Sequence, residues 1–166
     1  MAFTASGVFK QFLLDPVFAG TSTSATGYGA NGIGASGDTV KVALFNNSVT
    51  PDKDAAVAST GFNTGTWTTG NEVVDATNWV SGGRALSGNT LSSVTNAVMF
   101  DATDLAGGGA VTLSNVYGCF VYDDSVSGGT VADQGVCFNY FGGAQSVTGG
   151  TFTIVWHANG IFRVTV

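Results

Sequence analysis

Gly149-Gly150-Thr151-Phe152-Thr153-Ile154-Val155-Trp156-His157-Ala158-Asn159-Gly160-Ile161-Phe162-Arg163-Val164-Thr165-Val166 holds two alternating runs on either side of an Asn-Gly. Alternation with period two puts every second side chain on one face of a strand, and Asn-Gly between two such runs is the strongest short-range signal of a β-hairpin. Phe152, Ile154, Trp156 and Ala158 share a face in the first run; Phe162, Val164 and Val166 share one in the second. A slip of one residue would turn each set to the opposite face, so the sets themselves choose the loop length. A two-residue loop pairs Trp156 with Arg163 and splits the apolar sets. A three-residue loop, Ala158-Asn159-Gly160 with Gly160 at positive φ, pairs His157 with Ile161, Trp156 with Phe162, Ile154 with Val164 and Phe152 with Val166. The expectation is a C-terminal hairpin with a bulge at Gly160, onto which the rest of the chain packs.

Composition points the same way. The 166 residues fit one domain with a sizeable core, and 44% of them are hydrophobic. Gly occurs 25 times and Pro only 2 times, which with abundant Thr, Ser, Asn and Val describes a β protein with frequent turns. Only 10% of residues are charged, against roughly 25% in an ordinary soluble domain. Such a surface depends on neutral polar groups for solubility, as on extracellular and virion proteins covered by their neighbours.

The formal net charge is −6, and the basic residues Lys10, Lys41, Lys53, Arg84 and Arg163 are scattered. Phosphate backbones are held by a basic stripe, so no nucleic-acid partner is expected. No apolar run approaches a membrane span of roughly 18 residues, so no membrane partner is expected either. Phe12-Leu13-Leu14, broken by Asp15-Pro16, is too short for a secretory signal.

Residues 1–20 read as an N-terminal arm, helical or extended. Ser6 is a candidate cap for a segment in which Phe9, Phe12, Leu13 and Val17 recur at roughly helical spacing, and Asp15-Pro16 ends it. Such an arm either packs back on the β core or reaches a neighbouring subunit. Residues 21–38 read as a Gly/Ser-rich loop or linker. Gly27-x-Gly29-x-x-Gly32 and Gly32-x-Gly34-x-x-Gly37 match a dinucleotide fingerprint there, but no strand precedes them and no helix follows, so no nucleotide cofactor is inferred.

The β domain occupies 39–166. Thr39–Phe45 is a strand; residues 55–70 form a loop anchored by Phe62 and Trp67; Glu72-Val73-Val74 is a short strand. Ser81-Gly82-Gly83 turns into Arg84-Ala85-Leu86, and Thr90–Phe100 is extended. Ala110–Tyr122 and Val131–Phe141 are the longest apolar stretches before the C-terminus and pair across the intervening loop. The count of about eight strands, with turn signals between them, predicts an antiparallel β-sandwich or a jelly-roll-like domain.

Candidate chemistry is sparse. His157 is the sole histidine and Glu72 the sole glutamate, so neither a nucleophile–His–carboxylate set nor a histidine-rich metal site can be assembled. Asp52-Lys53-Asp54 and Asp123-Asp124 lack the spacing of a calcium loop, and turns account for most aspartates. No catalytic residue, metal ligand or cofactor is assigned. With a turn centred on Gly128-Gly129, Cys119 and Cys137 fall opposite each other; a cross-strand disulfide and two free buried thiols are both open. Trp67 and Trp79 are candidate exposed aromatics for stacking on a sugar, or alternatively core anchors.

Val40-Lys41-Val42-Ala43-Leu44-Phe45-Asn46-Asn47-Ser48-Val49-Thr50-Pro51-Asp52 resembles the opening of a family of small virion proteins of tailed bacteriophages. Asn71-Glu72-Val73 and Gly82-Gly83-Arg84-Ala85-Leu86 continue the pattern, and Ser146–Trp156 with Asn159-Gly160-Ile161 closes it. The resemblance covers roughly residues 39–166. It implies a non-enzymatic structural protein assembled in the bacterial cytoplasm and located in the virion. The expected role is a capsid decoration (cement) protein, a homo-oligomer, with trimers one option, bound to the major capsid protein. A tail or fibre component that binds a host receptor or glycan is the alternative. In the decoration reading Phe9, Phe12, Leu13, Leu14, Val17 and Phe18 of the arm form the docking surface.

Overall fold

The computed structural model describes residues 2–10, 12–13, 38–127 and 130–165. The Gly/Ser-rich segment 21–37 and arm residues Leu14, Val17 and Phe18 lie outside the described residues. The protein is an all-β sandwich of antiparallel sheets. In chain order its strands are β1 (Gly7–Val8), β2 (Val40–Phe45), β3 (Arg84–Ala85), β4 (Thr90–Val94), β5 (Ala97–Asp101), β6 (Leu105–Ala106), β7 (Val111–Asp123), β8 (Gln134–Gly150), β9 (Thr153–Ile154) and β10 (Phe162–Thr165). They form sheets ordered β1-β8-β7-β2-β3, β10-β5-β4 and β6-β9.

The two long apolar stretches pair as expected: β7 and β8 form the centre of the largest sheet, with Phe120 opposite Phe138 and Val121 opposite Cys137. Val-, Phe- and Tyr-rich sequence suits a strand covered on both faces, and Cys119 through Asp123 are all buried. Cys119 pairs with Asn139, two residues away from the register that would oppose it to Cys137. Both cysteines are free and buried. Between Val111 and Gly118 the ladder is broken by successive register shifts, with one more between Val121 and Tyr122.

Trp67 is the centre of the core. It stacks on Phe120 at 4.6 Å and meets Phe3, Phe9 and Phe45 edge-on at 5.9, 6.2 and 5.2 Å. Its relative exposure is 1% and that of Trp79 is 0%, so neither is the exposed aromatic that the sequence offered. Trp79 packs edge-on against Phe152 at 5.7 Å and carries the Arg84 guanidinium over its ring at 6.0 Å. A bulky ring inside loop 55–70 gains more by burial than by stacking on a ligand.

The described part of the arm is core as well. Gly7 and Val8 pair with Phe138 and Cys137, and the Phe9 N–H donates to the Val136 carbonyl at 3.1 Å. Phe3, Phe9 and Phe12 are buried, and Leu13 is half-buried against them. As a docking surface Phe9 and Phe12 are therefore corrected to internal packing groups, because three phenylalanines within twelve residues bury themselves on the nearest apolar sheet. Ser6 caps no helix; its Oγ accepts the Tyr140 N–H at 2.8 Å. Helical residues begin only at Lys10.

The C-terminal hairpin is also corrected. The turn forms where expected: the Gly160 N–H donates to the His157 carbonyl at 2.7 Å, and Gly160 has φ +78°. A Cβ there would run into the Phe100 carbonyl oxygen. The two runs nevertheless part. Ile154 pairs with Leu105 of β6, whereas Phe162, Arg163 and Val164 pair with Phe100, Met99 and Val98 of β5. The Ile161 N–H goes to the Phe100 carbonyl at 2.8 Å, which commits the second run to β5. The inward faces hold, with Ile154 and Phe162 buried. Alternation assigns a face but not the neighbouring strand.

Two smaller expectations change. Thr90–Phe100 is a hairpin rather than one strand, because Asn96 takes φ +54° in a two-residue Thr95-Asn96 turn. Glu72-Val73-Val74 contributes one bridge, Glu72 to Phe45, rather than a strand.

Candidate interaction surfaces

Four polar or apolar groupings were open to a functional role, and each is built from the sheets just described. The first is the face of β10-β5-β4. Register places Leu91, Phe100 and Phe162 in one row and Ser93, Val98 and Val164 in the next. The inner part is core: Phe100 and Phe162 are buried, and Phe12 lies edge-on to Phe162 at 5.5 Å. The outer part is not, since Leu91 is 52% and Val98 38% exposed. The sheet thus carries an apolar face from the core out into solvent.

The second is a cleft of about 410 Å³ between the far half of β8 and residues 152–161, lined among others by Tyr140, Phe141, Gln145, Phe152, Trp156 and His157. Its volume falls in the range of small-ligand sites, and no lining residue is Asp, Glu, Lys or Arg. Aromatic faces and amides without charge suit a neutral polar ligand. His157 is exposed on the rim, and its Nδ1 accepts the Asn159 N–H at 3.1 Å.

The third is the polar brace around Glu72. Its carboxylate accepts the Ser81 hydroxyl at 2.7 Å and the Gly82 N–H at 2.9 Å, while the Tyr122 hydroxyl donates to the Gly82 carbonyl at 2.7 Å. Burial raises the Glu72 carboxyl above its ordinary pKa, against those two hydrogen bonds. These bonds pin the turn before β3 to the central sheet, a structural task.

The fourth is the acidic end of the main sheet. Asp123 is wholly buried; its Oδ1 accepts the Ser125 N–H at 2.8 Å, and its Oδ2 has no hydrogen-bond partner. Desolvation pushes its pKa up to about 6 against the Ser125 hydrogen bonds, the Asp38 and Asp124 charges adding to the rise. Asp124 is paired with Lys41 at 2.7 Å. Asp54 meets Lys10 at 3.3 Å, and both are exposed. Among the described residues no group of three or more His, Cys, Asp or Glu could hold a metal ion.

The thiols offer no accessible nucleophile: burial pushes Cys119 up to about 12 and raises Cys137 well above the ordinary thiol value. Of the arm residues read as a docking surface, Phe9 and Phe12 are both buried but apart, Phe9 against Trp67, Phe120 and Phe138 and Phe12 against Phe162, and Leu13 is half-buried. Leu91, Val98 and Phe141 receive no functional role from the sequence, and Phe152 and Trp156 read there as the apolar face of the hairpin. Leu91 and Val98 occupy positions that alternation alone assigns to a buried face. No family model, curated protein or solved structure matches the chain.

Proposed function

We propose that this is a non-enzymatic structural protein of a tailed-bacteriophage virion, acting as a capsid decoration protein that binds the outer shell and stabilises capsomer contacts. One observation carries the reading: an apolar sheet face, with Leu91 and Val98 in solvent, on a chain in which only 10% of residues are charged. Surfaces of this kind gain stability when neighbours cover them. The resemblance of residues 39–166 to small virion proteins supports the same assignment. In this reading the partners are the major capsid protein and further copies of the chain, and the protein resides in the virion. The docking surface moves from the arm to the exposed faces of the sandwich.

The test is the position and copy number of the protein in the intact particle, by cryo-electron microscopy. Hundreds of copies placed symmetrically over the head support decoration, and a few copies at the tail overturn it. The uncharged cleft favours a second reading, a tail or fibre component that binds a glycan. Glycan-array binding that disappears in Tyr140→Ala and Gln145→Ala, with folding intact, would select it.

A further inference from the structure

Sheet edges offer rows of unpaired N–H and C=O groups, and proteins guard them with charge, bulges, proline or brevity. Most edges here are guarded. β1 and β3 are two residues long, and β3 contains Arg84. β10 contains Arg163, whose guanidinium donates to the Thr95 carbonyl at 2.9 Å. The far half of β8 is broken by register shifts. β4 differs on every count. It runs five residues in unbroken register with β5, and Asn89 through Thr95 include no charge and no proline. Among the described residues nothing pairs with its outer side.

We propose that β4 is a self-association edge, at which two copies of the chain join antiparallel about Ser92 to continue the sheet across a two-fold axis. The proposal rests on the homo-oligomer part of the reading above and names its surface. Hydrogen-bonded and non-hydrogen-bonded pairs alternate along an antiparallel ladder. Val94 and Ala97 close the two-residue turn as a hydrogen-bonded pair, so Ser92–Met99 is hydrogen-bonded and Leu91–Phe100 and Ser93–Val98 are not. The N–H and C=O groups of Leu91 and Ser93 consequently point outward. A two-fold axis at Ser92 sets Leu91 opposite Ser93 of the second copy, and both hydrogen-bonded pairs form with the outward groups. The side chains agree with the backbone. Leu91 and Ser93 lie on the same face as Val98 and Val164, so the two exposed apolar faces become one continuous face. Neither strand brings a charge that the other would repel. A two-fold contact is self-complementary by construction, as this register requires.

Ser92 then faces Ser92 of the second copy as a non-hydrogen-bonded pair, with Cα atoms about 4.5 Å apart, within disulfide range. The experiment uses Ser92→Cys and Ser93→Pro in the full chain. Cys119 and Cys137 are buried and do not compete. Proline at 93 removes an outward N–H and is tolerated on an edge strand; circular dichroism verifies that the variant folds. The expected results are a concentration-dependent dimer in sedimentation analysis, a covalent dimer of oxidised Ser92→Cys, and a monomer for Ser93→Pro at the same concentrations. Oligomers that persist in Ser93→Pro, with Ser92→Cys not cross-linking, overturn the edge but leave the homo-oligomer reading standing. A protein that stays monomeric and uncrosslinked at every concentration overturns both. Capsid binding lost in a Ser93→Pro variant of a monomeric protein overturns self-pairing in favour of a strand supplied by the capsid.

Discussion

Asp123→Asn should stabilise the protein at neutral pH. The wild-type carboxylate is fully buried, with one oxygen bonded to the Ser125 N–H and the other to nothing. Its pKa rises from 3.8 to about 6 because burial disfavours the charge. A carboxyl whose pKa is raised on folding favours the native state while protonated. That contribution is complete below the unfolded pKa near 3.8 and is lost as pH rises through about 6. The shift corresponds to about 3 kcal/mol of ionisation penalty at pH 7, at about 1.4 kcal/mol per pKa unit. An asparagine removes that penalty and keeps an acceptor for Ser125, while leaving an amide N–H₂ buried at a cost of about 1–2 kcal/mol. The net gain at pH 7 is about 1–2 kcal/mol. Urea unfolding of both proteins from pH 4 to pH 8 measures it. The advantage should shrink toward pH 4 and vanish or reverse there, where the wild type is itself neutral. A variant less stable than wild type at pH 7 would refute the reasoning, because it would mean the charge is compensated in the native state.

Trp67→Ala removes the ring on which five phenylalanines converge and should cost about 3–5 kcal/mol by chemical denaturation. Deleting residues 1–13 removes buried Phe3, Phe9 and Phe12 together with β1, so the shortened chain should lose its cooperative thermal transition rather than remain folded. Gly83→Ala should destabilise by about 1–3 kcal/mol, since Gly83 has φ +72° and an added Cβ would strike the Val42 carbonyl; a change in Tm below the scatter between preparations would argue against it. Both thiols should resist Ellman's reagent in the native protein and react fully in guanidinium, and rapid native labelling would contradict their burial.

Much of this architecture is legible because strands write their faces into the chain. Val40–Phe45, the β7–β8 pair and the inward sets Ile154 and Phe162 all follow from alternation and β-branched or aromatic content. What alternation omits is which strand lies beside which. The runs around Asn159-Gly160 keep their faces and their turn but join different sheets, because β5 presents a free ladder that matches Phe162–Thr165. The Thr95-Asn96 turn carries no glycine, and a single Asn, though it tolerates positive φ, is a weaker turn signal than Asn-Gly. Trp67 illustrates a chemical ambiguity: an aromatic in a polar loop reads equally as anchor or ligand platform, and only the surrounding rings decide. The exposed position of Leu91 and Val98 depends on where the core stops, a property of tertiary packing.

The pairing of Gly7 with Phe138 also bears on how the molecule reaches its native state. Among the described residues β1 pairs only with β8, more than a hundred residues further along the chain. Closing so long a loop is entropically costly before any contact rewards it, and chains dominated by such distant pairings fold slowly. During synthesis Phe3 and Phe9 meet Trp67 earlier in the chain, but β1 docks only once β8 has formed. The interval between their emergence and the docking of β1 is the period in which this chain is most open to chaperone capture or aggregation.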